Sequence, residues 1–257
     1  MRTLFVGLTL VLTTPIIGAA VIVAALLGVS DRPGGVFDLA PRLWARLLIR
    51  AAGVRLVLHH PERMANGAPQ VYVANHVSWF DVFAIGTTLR HYKFVAKAEL
   101  ARIPLFGVAM RSAGFIFVDR SNRKAAFAGY ESAAERMRHG FSVVVCPEGT
   151  RGTSYALRPF KKGPFVLAVA AGAIIVPTLV YGTREVQRSG SMVVRRGVVH
   201  VHFLEPIPTA GLTYDDRDGL SRLAWERMAE TLHNEYGIPS FSAAAPRTSE
   251  ALEPTTV

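Results

Sequence analysis

Two short stretches carry residue types suited to moving a proton and holding an anion. In Val71-Tyr-Val-Ala-Asn-His-Val-Ser-Trp-Phe-Asp81, a histidine precedes an aspartate by five positions. That spacing on one regular helix would leave the two side chains off a common face. Across a strand–loop–helix junction they can meet, the carboxylate binding one ring nitrogen of His76 and freeing the other. An imidazole with a pKa near 6.5, oriented by Asp81, is a general base at neutral pH. The competing reading makes Asp81 a helix cap after Ser78 and His76 a locally bonded side chain. In Val143-Val-Val-Cys-Pro-Glu-Gly-Thr-Arg151, an apolar strand runs into a polar turn, at the strand end where α/β sheets place ligands. Gly149 permits close backbone approach, and Arg151 offers a rigid fork for phosphate. Glu148 could bond a substrate hydroxyl or pair with Arg151.

Other candidates are weaker. Lys97 and Arg120 also follow strand-like segments, and with Arg151 they could form a phosphate-binding floor, although each alone reads as a solvated charge. His200 and His202 alternate on one strand face; with no acidic or cysteine partner nearby in sequence, strand packing is favoured and no metal site is expected. Cys146 is the only cysteine, which excludes an intramolecular disulfide and a cysteine-based zinc cluster. It closes an apolar strand, where thiols are inert, and no G-x-S-x-G elbow offers a serine nucleophile instead.

These residues need a scaffold, and the chain supplies alternating segments. Val54–His59, Val71–Asn75, Tyr92–Ala96, Gly114–Val118, Ser142–Cys146, Ile174–Tyr181 and Val198–Phe203 read as strands. Trp79–Leu89, Leu105–Ser112, Arg123–His139, Gly163–Ala171 and Asp215–Tyr236 read as helices, so an α/β domain around one buried sheet is expected over residues 54–238. Residues 1–30 hold no charge between Arg2 and Asp31, longer than the ~20 apolar residues of a membrane span and too long for the apolar core of a signal peptide. They predict an uncleaved anchor, with the catalytic domain on the cytoplasmic face, since Arg32, Arg42, Arg46 and Arg50 follow. Residues 31–53 form a linker and a basic amphipathic helix opening at Pro41, and residues 239–257 a disordered tail. With 29 Lys and Arg against 19 Asp and Glu, the chain carries +10 and calls for a polyanionic partner. The anchor points to lipid; no nucleic-acid reader motif is present.

In order, His76–Asp81, Gly114–Arg120, Pro147–Arg151 and Ile175-Val-Pro177 resemble the four blocks of the glycerolipid acyltransferase family, typified by 1-acyl-sn-glycerol-3-phosphate acyltransferases. The resemblance runs from about Trp44 to Tyr236, and Cys146 departs from it where the family usually carries an aromatic residue. It implies a mixed central sheet flanked by helices, with His76 as base and Asp81 orienting it. Arg120, Glu148 and Arg151 would bind glycerol phosphate, Lys97, Gly149 and Thr150 would complete the substrate surface, and Pro177 would shape the acyl side. The implied reaction moves an acyl group from acyl-CoA or acyl carrier protein to the sn-2 hydroxyl of lysophosphatidate, with no metal or redox cofactor, at a bacterial inner membrane. The alternatives are another acceptor, such as lyso-ornithine lipid, or a non-enzymatic anionic-lipid-binding membrane protein.

Overall fold

The computed structural model describes residues 1–64, 68–119 and 123–241. Seven strands, β1 (Val54–His59), β2 (Gln70–Ala74), β3 (Tyr92–Lys97), β4 (Ile116–Val118), β5 (Ser142–Val145), β6 (Ile174–Tyr181) and β7 (Gly197–Phe203), form one sheet in the order β1-β7-β6-β2-β5-β3-β4. Strands β2 to β6 are parallel. β7 runs antiparallel to β6 and parallel to β1, which makes the sheet mixed. β2 and β5 are buried at every position, as strands covered on both faces must be. The helices are α1 (Arg2–Leu26), α2 (Val36–Ala52), α3 (Trp79–Thr88), α4 (Phe106–Ser112), α5 (Arg123–Met137), α6 (Gly163–Ala171), α7 (Thr183–Val186) and α8 (Arg217–Tyr236). Alternation along the strands divides the core. Val71, Val73, Val143 and Ile175 pack with α5, α6 and α8, while Tyr72, Val144, Val176 and Val180 pack with α2 and α3. Because β2 to β6 are parallel, their carboxyl ends share one edge, and the loops bearing His76, Lys97 and Pro147–Arg151 emerge there.

The N-terminal helices lie against this core. α1 is long and apolar enough to cross a membrane, yet one side of it is seated: Thr14 Oγ1 accepts from Trp44 Nε1 at 3.0 Å, and Gly18 sits against Ala109 of α4. Leu4, Phe5, Leu8, Val11, Leu12 and Ile16 stay exposed. The helix expected to open at Pro41 begins at Val36, with Pro41 inside it. Asp38 explains the difference. Its carboxylate accepts from Gly34 N at 2.9 Å and, from across the molecule, from His91 N at 2.8 Å. That fixes a first turn before the proline, whose missing N–H removes a single helical bond. Of the expected tail, Ser240 Oγ accepts from Leu157 N at 2.9 Å, and residues 242–257 lie outside the described residues.

Lys93 of β3 is fully buried, its Nζ 2.7 Å from Asp31 and donating to Ala113 O at 2.7 Å. Burial holds its pKa below the ordinary lysine range, while the Asp31 carboxylate pulls the other way. Removing one partner of such a pair strands the other, whereas an apolar replacement of similar volume does not. Asp31→Ala is therefore expected to destabilise the fold by about 2–3 kcal/mol in denaturant titrations. Lys93→Met should match or exceed the parent.

At the opposite edge of the sheet, β1 and β7 bring His59 beside His200 and His202. Burial, then the charge of His59, lowers the pKa of both His200 and His202, the latter to about 4 from an ordinary 6.5. Arg55 adds to the effect on His200 and His60 to that on His202, while Glu235 opposes it at His200. Between those two values the unfolded chain binds more protons than the folded one, so stability falls as pH drops from about 6.5 to about 4. The expected loss, discounted for solvent screening, is about 1–2 kcal/mol across that window. His202→Gln should flatten this acid limb in melts recorded at pH 7, 6, 5 and 4; an unchanged slope would remove His202 as its source.

Candidate active site

The site begins with how β2 ends. Asn75 is fully buried, and its amide makes both bonds of a peptide with Val180: Oδ1 accepts from Val180 N at 2.7 Å and Nδ2 donates to Val180 O at 3.0 Å. A side chain thus replaces the next ladder pair, and His76 leaves the sheet at a fixed point. Ser78 caps α3, accepting from Phe80 N at 3.2 Å, and Asp81 in the first turn accepts from Ser78 N at 2.8 Å. Asp81 Oδ2 also accepts from Val77 N at 2.7 Å and lies 2.9 Å from His76 Nδ1. Both readings of the sequence are therefore realised at once: Asp81 caps the helix and holds the histidine.

The second oxygen of Asp81 accepts from Thr183 Oγ1 at 2.5 Å, from α7 across the β6–β7 connection. Thr183 is held there by its neighbours. Gly182 has φ of 93°, and a Cβ at that position would collide with Val198 O, so only glycine fits. The Tyr155 hydroxyl accepts from Gly182 N at 2.8 Å and Arg184 N at 2.9 Å, and donates to Glu185 at 2.7 Å. Burial, then the bond to Glu185, pushes that phenol above its ordinary range. Asp81 is fully buried with every contact a donor, so Nδ1 of His76 carries the proton and Nε2 the lone pair. That is an imidazole held in one tautomer.

The turn after β5 grips the backbone of His76 from both sides. Glu148 Oε1 accepts from His76 N at 3.0 Å, and Gly152 N donates to His76 O at 2.7 Å. Glu148 Oε2 accepts from Arg158 Nε at 2.8 Å, and Arg158 also donates to Thr150 Oγ1 at 2.9 Å and to the Thr150 carbonyl. The partner of Glu148 is thus Arg158, not Arg151. Arg151 lies instead with its guanidinium 4.6 Å from the centre of the Trp79 ring, at the start of α3 and beside the Gly152–His76 contact. Gly149 turns with φ of 83°, and a Cβ there would stand 2.9 Å from Cε of Lys161. Arg151, Arg158 and Lys161 therefore cluster around one short turn, a cationic wall beside the His76 imidazole.

Among the remaining candidates, Lys97 and Pro177 make other contacts. Lys97 ends β3 on the same edge but pairs with Glu99 at 2.8 Å, both half-exposed. Arg120 lies outside the described residues. Pro177 is buried within β6 opposite Val73, its carbonyl accepting from Leu204 N at 2.9 Å. Asn75, Tyr155, Arg158, Lys161 and Thr183 were not singled out by sequence. Only Asn75, polar at the end of an apolar strand, gave a signal.

The family pattern described as Acyltransferase matches residues 55–181, which runs from β1 to the end of β6 and takes in all four blocks. An uncharacterized acyltransferase of Schizosaccharomyces pombe is 36% identical over 172 residues, 65% of this chain and 61% of that protein. The human 1-acyl-sn-glycerol-3-phosphate acyltransferase beta is 35% identical over 194 residues, 75% of this chain and 70% of that one. The crystal structure of the 1-acyl-sn-glycerophosphate acyltransferase PlsC of Thermotoga maritima superposes with a TM-score of 0.76 over 91% of this chain and 94% of that one, at 22% identity, a likeness of fold. Identity of 35% across 70% of a relative, on a chain whose sheet delivers the His76–Asp81 pair to its carboxyl edge, shows that the chain belongs to the acyltransferase family.

Proposed function

We propose that this protein transfers a fatty acyl group from a thioester donor, acyl-CoA or acyl carrier protein, to the sn-2 hydroxyl of lysophosphatidate. The observation that carries the reading is His76 held through Nδ1 by a buried Asp81, with Nε2 left as the acceptor. Nε2 takes the proton of the acceptor hydroxyl as its oxygen attacks the thioester carbonyl. The new C–O bond gives a tetrahedral oxyanion, its collapse breaks the C–S bond, and the imidazolium returns its proton to the departing thiolate. Asp81 stabilises the transient imidazolium without taking its proton. Arg151, Arg158 and Lys161 suit the phosphate of the acceptor, and Arg offers it a two-pronged match. These cations orient the hydroxyl, and orientation is where such a site gains most.

The setting supports a substrate that lives in a bilayer. α1 exposes an apolar face, and Arg46 and Arg50 project from α2, the combination that settles beside anionic lipid. Relatives named for acylglycerophosphate chemistry, the human one at 35% identity among them, outnumber the lyso-ornithine lipid O-acyltransferase of Pseudomonas aeruginosa, which matches at 30%, and this favours lysophosphatidate as acceptor.

The test is thiol release from acyl-CoA by detergent-purified protein. Release should require lysophosphatidate and fall by about 10³-fold or more in His76→Ala, with little change in melting temperature. Release with lyso-ornithine lipid alone would move the acceptor, release without acceptor would mean a thioesterase, and lipid binding without release would favour a non-enzymatic role. Glu148 generates a separate expectation, since both its oxygens are used inside the protein. Glu148→Ala frees the His76 backbone and strands Arg158, so it should cost about 2–3 kcal/mol of stability and lower kcat at least about tenfold. A rise in KM alone, with unchanged stability, would make Glu148 a substrate ligand instead.

A further inference from the structure

The histidines at the β1–β7 edge form a second constellation, away from the Asp81 network. Parallel pairing sets His59 opposite His202 and Val57 opposite His200, so all three imidazoles stand on the α8 side of the sheet. His59 Nε2 lies 3.0 Å from His200 Nδ1, and the His59 and His202 rings stack at 3.9 Å with only 3° between planes. One ring nitrogen from each comes within 4.8 Å of the other two. Three imidazoles this close, with His59 and His200 already sharing a hydrogen bond, bring one potential ligand atom from each ring into a small volume.

We infer that His59, His200 and His202 form a binding site for a divalent transition-metal ion with a preference for nitrogen donors, zinc(II) or a neighbour in its row. Nitrogens bound tetrahedrally at 2.0–2.1 Å stand roughly 3.3 Å apart. The His59–His200 separation of 3.0 Å, a hydrogen bond in the free protein, is already near that spacing, and His202, stacked flat on His59, joins the ion by turning out of that stack. The His202 ring is oriented by the Tyr236 hydroxyl, 2.6 Å from Nε2, the kind of outer contact that fixes the tautomer of a ligating imidazole. His202 is buried while His59 and His200 are partly open, which leaves an entry path and a fourth position for water. Such an ion would clip the edge strand β1 to β7 and, through Tyr236, to the end of α8. It takes no part in acyl transfer.

The experiment uses the untagged full-length protein in detergent, stripped with EDTA. Cobalt(II) serves as the optical probe and zinc(II) as the stabilising ion. One equivalent of cobalt should develop the visible absorption of a low-coordinate site, and equimolar zinc should raise the melting temperature. His59→Gln and His200→Gln, both at partly exposed positions, should each weaken cobalt binding at least about tenfold and abolish the zinc shift. His60→Gln, altering the adjacent His60–Glu62 pair, should change neither. The wild type failing to bind cobalt at micromolar concentration, or cobalt binding that survives in both glutamine variants, would overturn the proposal.

Discussion

A buried carboxylate that is not neutralised by a lysine or arginine sets the terms for everything around it. Asp81 is fully inaccessible, and its contacts are two backbone N–H groups, a hydroxyl and an imidazole. Leaving a charge in that position without donors would cost far more than a marginally stable fold can absorb. Each donor must therefore arrive at its place when the protein folds. Ser78 and Val77 come by local chain geometry, since a helix N-terminus presents its N–H groups to a carboxylate. His76 comes from the same short segment, whereas Thr183 comes from elsewhere and makes the site a tertiary object. The same need that fixes Asp81 fixes the tautomer of His76, so stability and proton transfer rest on one set of bonds.

A second carboxylate works by the same logic from the opposite side. Glu148 spends one oxygen on the amide of His76 and the other on Arg158. The turn after β5 can then be both rigid and cationic: Arg158 balances Glu148, and Arg151 is left on the face of Trp79. Stacking on the indole holds that guanidinium with little loss of its hydrogen-bonding capacity. An arginine already balanced by a carboxylate offers an anion less than one resting on a ring. Arg158 is thus tied to Glu148, whereas Arg151, seven positions earlier in the same loop, rests on Trp79.

How much of this could be read in advance follows the range of the interactions. Strands such as Val54–His59 and Ile174–Tyr181 emerged end to end because β-branched runs bounded by Gly, Pro or polar residues declare themselves locally. The His76–Asp81 pair was legible because cap and base share one short segment. Thr183 was not, since 102 positions separate it from Asp81 and a threonine after a glycine says nothing about a distant carboxylate. Arg158 was hidden by the nearer Arg151. Pro41 misled because its preference for a first turn was outweighed by Asp38 reaching His91 from another part of the chain. His59 could not be joined to His200 and His202 without knowing that the first and last strands are neighbours.

The reversed strand explains why the N-terminal helix matters to the site. Had β7 been parallel to β6, the chain would have crossed to the far edge of the sheet before returning. Running antiparallel, it turns back at the catalytic edge and leaves α7, with Thr183, beside Asp81. The same connection carries Val194, whose N–H donates to Thr3 Oγ1 at 3.0 Å, so α1 starts at the catalytic edge. Its other end leads to Asp31, which is tied to Lys93 near the start of β3 and so to the opposite edge of the sheet. A helix of 25 residues, about 37 Å long, therefore runs the height of the domain, with Leu4, Phe5 and Leu8 facing outward at the end nearest the base. The apolar surface suited to a bilayer and the histidine suited to an acyl acceptor are held on one edge by the β6–β7 turn, so a lipid leaving the membrane beside α1 would have a short path to His76.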